Sequence, residues 1–127
     1  MVANILTVKH RENVHLDPKK LSELYSQLGE TSAEDVVCRA IEELAVRLTH
    51  CERLWRQDDI DNLRKSARSL IAISEQIGMM AMANIARDVT DAIDADDSPA
   101  VAATLFRLIR VGESSLTAVW EQHDLTV

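Results

Sequence analysis

Residues 58–93, DDIDNLRKSARSLIAISEQIGMMAMANIARDVTDAI, decide the fold. Apolar or small residues recur at steps of three and four: Ile60, Leu63, Ala67, Leu70, Ser74 and Ile77. That spacing puts them on one face of an α-helix. Asp58-Asp59 offers a capping carboxylate ahead of the run, and Gly78 stops it. The same rhythm resumes through Met79, Met82, Ala86, Val89 and Ile93. Two amphipathic helices joined by a tight corner bury their stripes by folding back on one another.

The pattern extends both ways. Upstream, Asp17-Pro18 supplies an N-cap acceptor and a proline at the first helical position. This first helix carries Leu21, Leu24, Tyr25 and Leu28 and ends at Gly29. A second helix is expected from Thr31 or Ser32, with Glu34 or Asp35 placed to complete the cap. Its seam is Val37, Ile41, Leu44, Leu48, Cys51 and Trp55. Downstream, residues 94–99 read as a turn with Ser98 as N-cap and Pro99 opening a fifth helix. That helix carries Val101, Leu105, Leu108, Gly112, Ser115 or Leu116, and Val119. Its small positions would let a neighbour approach closely. The expected fold is all-α: an antiparallel up-down four-helix bundle with the short first helix capping one end. The expected organisation is an N-terminal arm over 1–15, the bundle over 16–122 and a tail over 123–127. Within the arm, Ile5, Leu6 and Val8 suggest a short strand or a segment lying on a partner.

Composition narrows the class. With 127 residues, one domain can bury a core without staples. Aromatics are 3% of the chain, so Ala and Leu must fill that core, which favours helices over a β-sandwich. A net charge of -7 argues against nucleic acid as a partner. Cys38 and Cys51 fall on the same helix, roughly 20 Å apart at its normal rise, too far for a disulfide. Free thiols, no secretion signal and no long apolar run suggest a cytoplasmic protein without a membrane span.

Catalytic patterns are missing from the sequence. There is no phosphate-binding or dinucleotide glycine motif, no nucleophile elbow and no Cys or Ser spaced for pairing with a His. The lone Glu12-x-x-His15 spacing lacks further ligands, so neither a metal nor another cofactor is expected. Glu42-Glu43, Asp58-Asp59 and Asp96-Asp97 read as helix-dipole partners and solvated charge. His50 projects from the polar face of the second helix, and His123 lies in the tail. On the third helix, Arg64, Lys65 and Arg68 cluster within about one turn of an acidic chain. Arg64, Arg68, Ile71 or Ala72, and Glu75 form an outward stripe at helical spacing.

Residues 58–98 resemble the core of a histidine-containing phosphotransfer (HPt) domain, and the likeness extends over about residues 16–121. The family pattern is roughly His-x-Leu-Lys-Gly, a glycine ten residues after the histidine, then Leu, Leu and Ala along the next helix. Here the corresponding residues are Arg68-Ser69-Leu70-Ile71-Ala72, then Gly78, then Met82, Ile85, Ala86 and Val89. The apolar frame and Gly78 match, as does the opening run from Leu16 to Leu21. The chemical triplet does not: Arg68, Ile71 and Ala72 stand where the family has His, Lys and Gly. No histidine lies between His50 and His123. A guanidinium stays protonated and has no free lone pair with which to accept a phosphoryl group.

The resemblance implies a receiver-docking surface without phosphotransfer chemistry. Arg64, Arg68, Ile71, Ala72 and Glu75 are the candidate partner-binding residues, with Arg68 placed to meet the acidic pocket of a response-regulator receiver. A histidine kinase is the other expected partner. The expected activity is non-enzymatic modulation of a phosphorelay. One alternative is phosphotransfer with His50 as an atypical acceptor; another is a structural bundle that self-associates.

Overall fold

The structure, a computed structural model, describes the backbone of residues 17–126 and the side chains of residues 17–117. Five helices follow one another: α1 (Pro18–Leu28), α2 (Glu30–Arg56), α3 (Ile60–Gln76), α4 (Met80–Asp94) and α5 (Ser98–Thr126). Among the described residues there is no strand. The arm expected over residues 1–15, and the side chains of Val119 and His123, lie outside the described set.

The apolar stripes decide which helices meet. α3 packs against α2 and α4, α5 packs against α4 and α2, and α1 packs against α2. The four longer helices thus enclose one core. Leu44, Leu63, Leu70, Leu105 and Leu108 are fully enclosed there, with Met79, Met82 and Val89. Each such large side chain contributes roughly 1.5–3 kcal/mol by leaving water. The seams expected on α3 and α4 are the buried ones, apart from half-buried Ile60 and Ile93. Gly112 is where α5 comes closest to its neighbours. A Cβ there would lie 2.6 Å from Leu48 Cδ1 and 3.1 Å from Met82 Cε. An aromatic contact also joins α5 to α2: Phe106 meets Trp55 edge-on, ring centres 5.0 Å apart.

Local chemistry makes the corners. Asp59 caps α3 by accepting the Asn62 N–H at 3.3 Å. Asp58 and Asp96 take positive φ in the turns before α3 and α5, a conformation Asp tolerates better than bulkier residues. Gly78 does the same between α3 and α4, at φ +79. Its carbonyl accepts the Asp17 N–H at 2.9 Å, tying the start of α1 to that corner. A Cβ on Gly78 would stand 3.0 Å from both Asp17 Cβ and Lys20 Cβ, so the glycine also permits this close approach.

Two helix starts and the burial of one helix differ from the sequence reading. α2 begins at Glu30, not after Thr31 or Ser32, because Gly29 at φ 82 and ψ 166 turns the chain in a single residue. Neither hydroxyl is then in a capping position. At α5, the Asp97 carboxylate accepts the Ala100 N–H at 3.1 Å, so Asp97 is the cap and Ser98 is already helical. A charged acceptor makes the stronger bond. On α1, no side chain is buried: Leu21 and Leu24 are half-covered, and Tyr25 and Leu28 are exposed. Among the described residues, no helix is long and apolar enough to cross a membrane.

Candidate functional site

α3 has three different flanks, because each residue advances about 100° around the axis. Leu63, Ala67, Leu70 and Ser74 face the core. Arg64, Ile71 and Glu75 lie toward α4, while Asn62 and Ser66 lie toward α2. Arg68 and Ala72 are exposed.

The flank toward α4 is closed by two charge pairs. Arg64 binds Asp94 in bidentate fashion, Nε to Oδ1 at 2.7 Å and Nη2 to Oδ2 at 3.0 Å. The hydrogen bond from Arg64 holds the Asp94 carboxyl below its ordinary range; the charges of Arg64 and, more weakly, Arg68 act the same way against a partial desolvation. The Arg64 guanidinium is raised in turn, chiefly by that same bond. Further along, Arg87 of α4 pairs with Glu75. Between these clasps Ile71 is half-buried against the core. Arg64 and Glu75, expected in an outward stripe, therefore spend their polar groups on α4.

What remains open on this face is Arg68 with Ala72. The Arg68 guanidinium has no hydrogen bond or ion pair among the described residues. It stands one turn from the Arg64–Asp94 clasp and contributes a positive field there. A cation in this setting can offer up to five N–H donors to an incoming acidic group.

The flank toward α2 holds an arrangement the sequence reading missed. A cleft of about 390 Å³ lies between α2 and α3, lined by Arg47, His50, Asn62, Lys65, Ser66 and Ser69 over a wall from Leu54. His50 does not simply project into solvent; it is half-buried there. Its Nδ1 lies 2.9 Å from Arg53 Nη2. Arginine can only donate, so Nδ1 is the acceptor in this contact and Nε2 is the ring nitrogen it leaves for another partner. Beneath the cleft, Cys51 Sγ donates to Ser66 Oγ at 3.3 Å. Burial pushes the Cys51 thiol above its ordinary value, with the Ser66 bond and the Arg47 charge opposing.

A signal for this cleft was present in the chain. Arg47, His50 and Leu54 repeat at three and four along one helix, and Asn62, Lys65 or Ser66, and Ser69 do so along the next. What the sequence lacked was the rotation that turns these stripes toward each other. Cys38 and Cys51 are both free of disulfides. Among the described residues, no three His, Cys, Asp or Glu side chains gather as a metal site. Glu12 and His15 lie outside them. Comparison with known proteins finds no matching family model, no matching curated protein and no matching solved structure.

Proposed function

We propose that this chain is a degenerate HPt-like module: an up-down four-helix bundle, with α1 as a cap, that docks a response-regulator receiver or its kinase without carrying phosphate. The single observation that supports the reading is Arg68, an exposed guanidinium without a partner among the described residues, at the position where the resemblance puts the acceptor histidine. The closed sequence of neighbours α2–α3–α4–α5 suits the bundle. The Arg64–Asp94 and Glu75–Arg87 clasps hold α3 and α4 in register around Arg68. A receiver's acidic pocket would then take the Arg68 donors, with Ala72 and the exposed part of Ile71 as the apolar surround.

Occupancy, not chemistry, is the proposed mechanism. The guanidinium competes for the surface a true phosphotransfer domain would use, in the cytoplasm where such relays operate. His50 is also engaged at Nδ1 by Arg53. The test is affinity capture from the native cytosol, wild type against Arg68→Glu, read by mass spectrometry. Receiver or histidine-kinase domains enriched by the wild type and lost with the variant support the reading. Their absence from the wild-type capture, or their retention by Arg68→Glu, refutes it. An acid-labile phosphoryl label on the wild type, absent from His50→Ala, would replace it with phosphotransfer through His50.

A further inference from the structure

The α2–α3 cleft is separate from the docking face, since neither Arg68 nor Ala72 lines it. Its chemistry is one-sided. Arg47, His50, Asn62, Lys65 and Ser66 bring donor groups to the lining, the Ser69 hydroxyl is spent on the Lys65 carbonyl at 3.2 Å, and no carboxylate is among them, on a chain with a net charge of -7. The Lys65 ammonium has no partner among the described residues. Arg47 spends Nε on Glu43 at 3.0 Å, which leaves its two terminal nitrogens. His50 keeps Nε2 outside its contact with Arg53. Ser66 accepts from Cys51, so its own hydroxyl hydrogen is available.

We infer that this cleft binds a phosphate dianion, either free or as the head of a small monoester. An ammonium, a guanidinium edge, an imidazole nitrogen and a hydroxyl come from the two helices that flank the space. A tetrahedral oxyanion has acceptors in several directions, whereas a carboxylate presents its two in one plane. The volume of about 390 Å³ exceeds one phosphate group, and Leu54 supplies an apolar wall for an organic remainder. Glu43 and Asp59 stand just outside the lining, bonded to Arg47 and Asn62, and moderate the field without occupying it. The cleft is open to water, so binding is salt-sensitive.

The test is a titration of the ¹⁵N-labelled protein with sodium phosphate at constant ionic strength, with sodium chloride as the control. The expected result is saturable amide shifts confined to the cleft, at Lys65, Ser66, Ser69 and His50. Lys65→Ala should weaken binding about tenfold or more, as the loss of a charged hydrogen bond does. His50→Ala should weaken it as well, and Lys19→Ala, on α1, should leave it unchanged. Circular dichroism confirms that each variant is folded. A parallel titration with phenyl phosphate separates the sources: tighter binding than phosphate marks a monoester site, equal binding marks the free ion. Shifts that never saturate, that spread over basic residues everywhere, that chloride reproduces, or that Lys65→Ala leaves intact overturn the inference.

Discussion

Replacing Gly78 with alanine should destabilise the domain by about 2–3 kcal/mol, for two reasons that can be separated. The first is backbone strain. Gly78 sits at φ +79, and an L-residue in left-handed geometry costs roughly 1–2 kcal/mol. The second is crowding. The new methyl would lie 3.0 Å from Asp17 Cβ, Asp17 N and Lys20 Cβ. Relief requires α1 to move away, weakening the 2.9 Å bond from Asp17 N–H to the Gly78 carbonyl, a bond worth roughly 0.5–1.5 kcal/mol. The crowding cost has a ceiling, because α1 buries no side chain and can lift off before the core opens. Urea unfolding should show a midpoint lowered by roughly 1–2 M at an ordinary slope. Asparagine accepts left-handed geometry more readily, so Gly78→Asn should recover part of the strain and none of the crowding. Amide exchange at Lys19 through Leu21 should accelerate in both variants. A Gly78→Ala protein within about 0.5 kcal/mol of wild type, with α1 exchange unchanged, would refute the argument.

Three other outcomes are expected. Ser74 Oγ is buried without a hydrogen-bond partner, so Ser74→Ala should raise stability by about 1 kcal/mol, read as a higher urea midpoint; a loss would mean the hydroxyl is satisfied. Asp94 titrates below its ordinary 3.8 in the folded chain, so its contribution is complete above that value and drains as pH falls through the folded pKa. The deficit of Asp94→Asn relative to wild type should therefore be constant near neutrality and shrink in acid; a deficit that ignores pH would exclude the clasp. The Cys51 thiol is raised above 9.0 chiefly by burial, so it favours the fold below that pH and loses this effect in alkali. An aromatic disulfide reagent should label half-buried Cys38 first and Cys51 only on unfolding; equal rates would contradict the packing.

The seam residues were legible because helical packing leaves a local trace. Leu63, Ala67, Leu70 and Ser74 had to share a face whatever surrounded them, and they are buried. Gly112 was legible as a close-approach position for the same reason, and Leu48 and Met82 fill the space beside it. Caps were less secure, because several acceptors stood within a residue of each other. Asp97 prevailed over Ser98 by charge, and Gly29 removed the need for Thr31 or Ser32. Pairings between helices left no local trace. Arg64 and Asp94 are thirty residues apart in sequence and meet only once α3 and α4 have a register. The cleft around His50 depends in the same way on the rotation of α2 against α3. The sequence could thus propose Arg68 as an anchor without showing that its neighbours Arg64 and Glu75 were already engaged.

The edge-on contact between Trp55 and Phe106 also bears on the order of assembly. Interfaces α2–α3, α3–α4 and α4–α5 each join helices that follow one another, so each forms as a hairpin with little loop to close. The α2–α5 interface instead brings together residues about fifty apart in sequence. It should close more slowly than the three hairpin interfaces, whose contacts are sequence-local. Trp55 sits on that seam, and its fluorescence should change last in a refolding trace, after the helical signal has recovered.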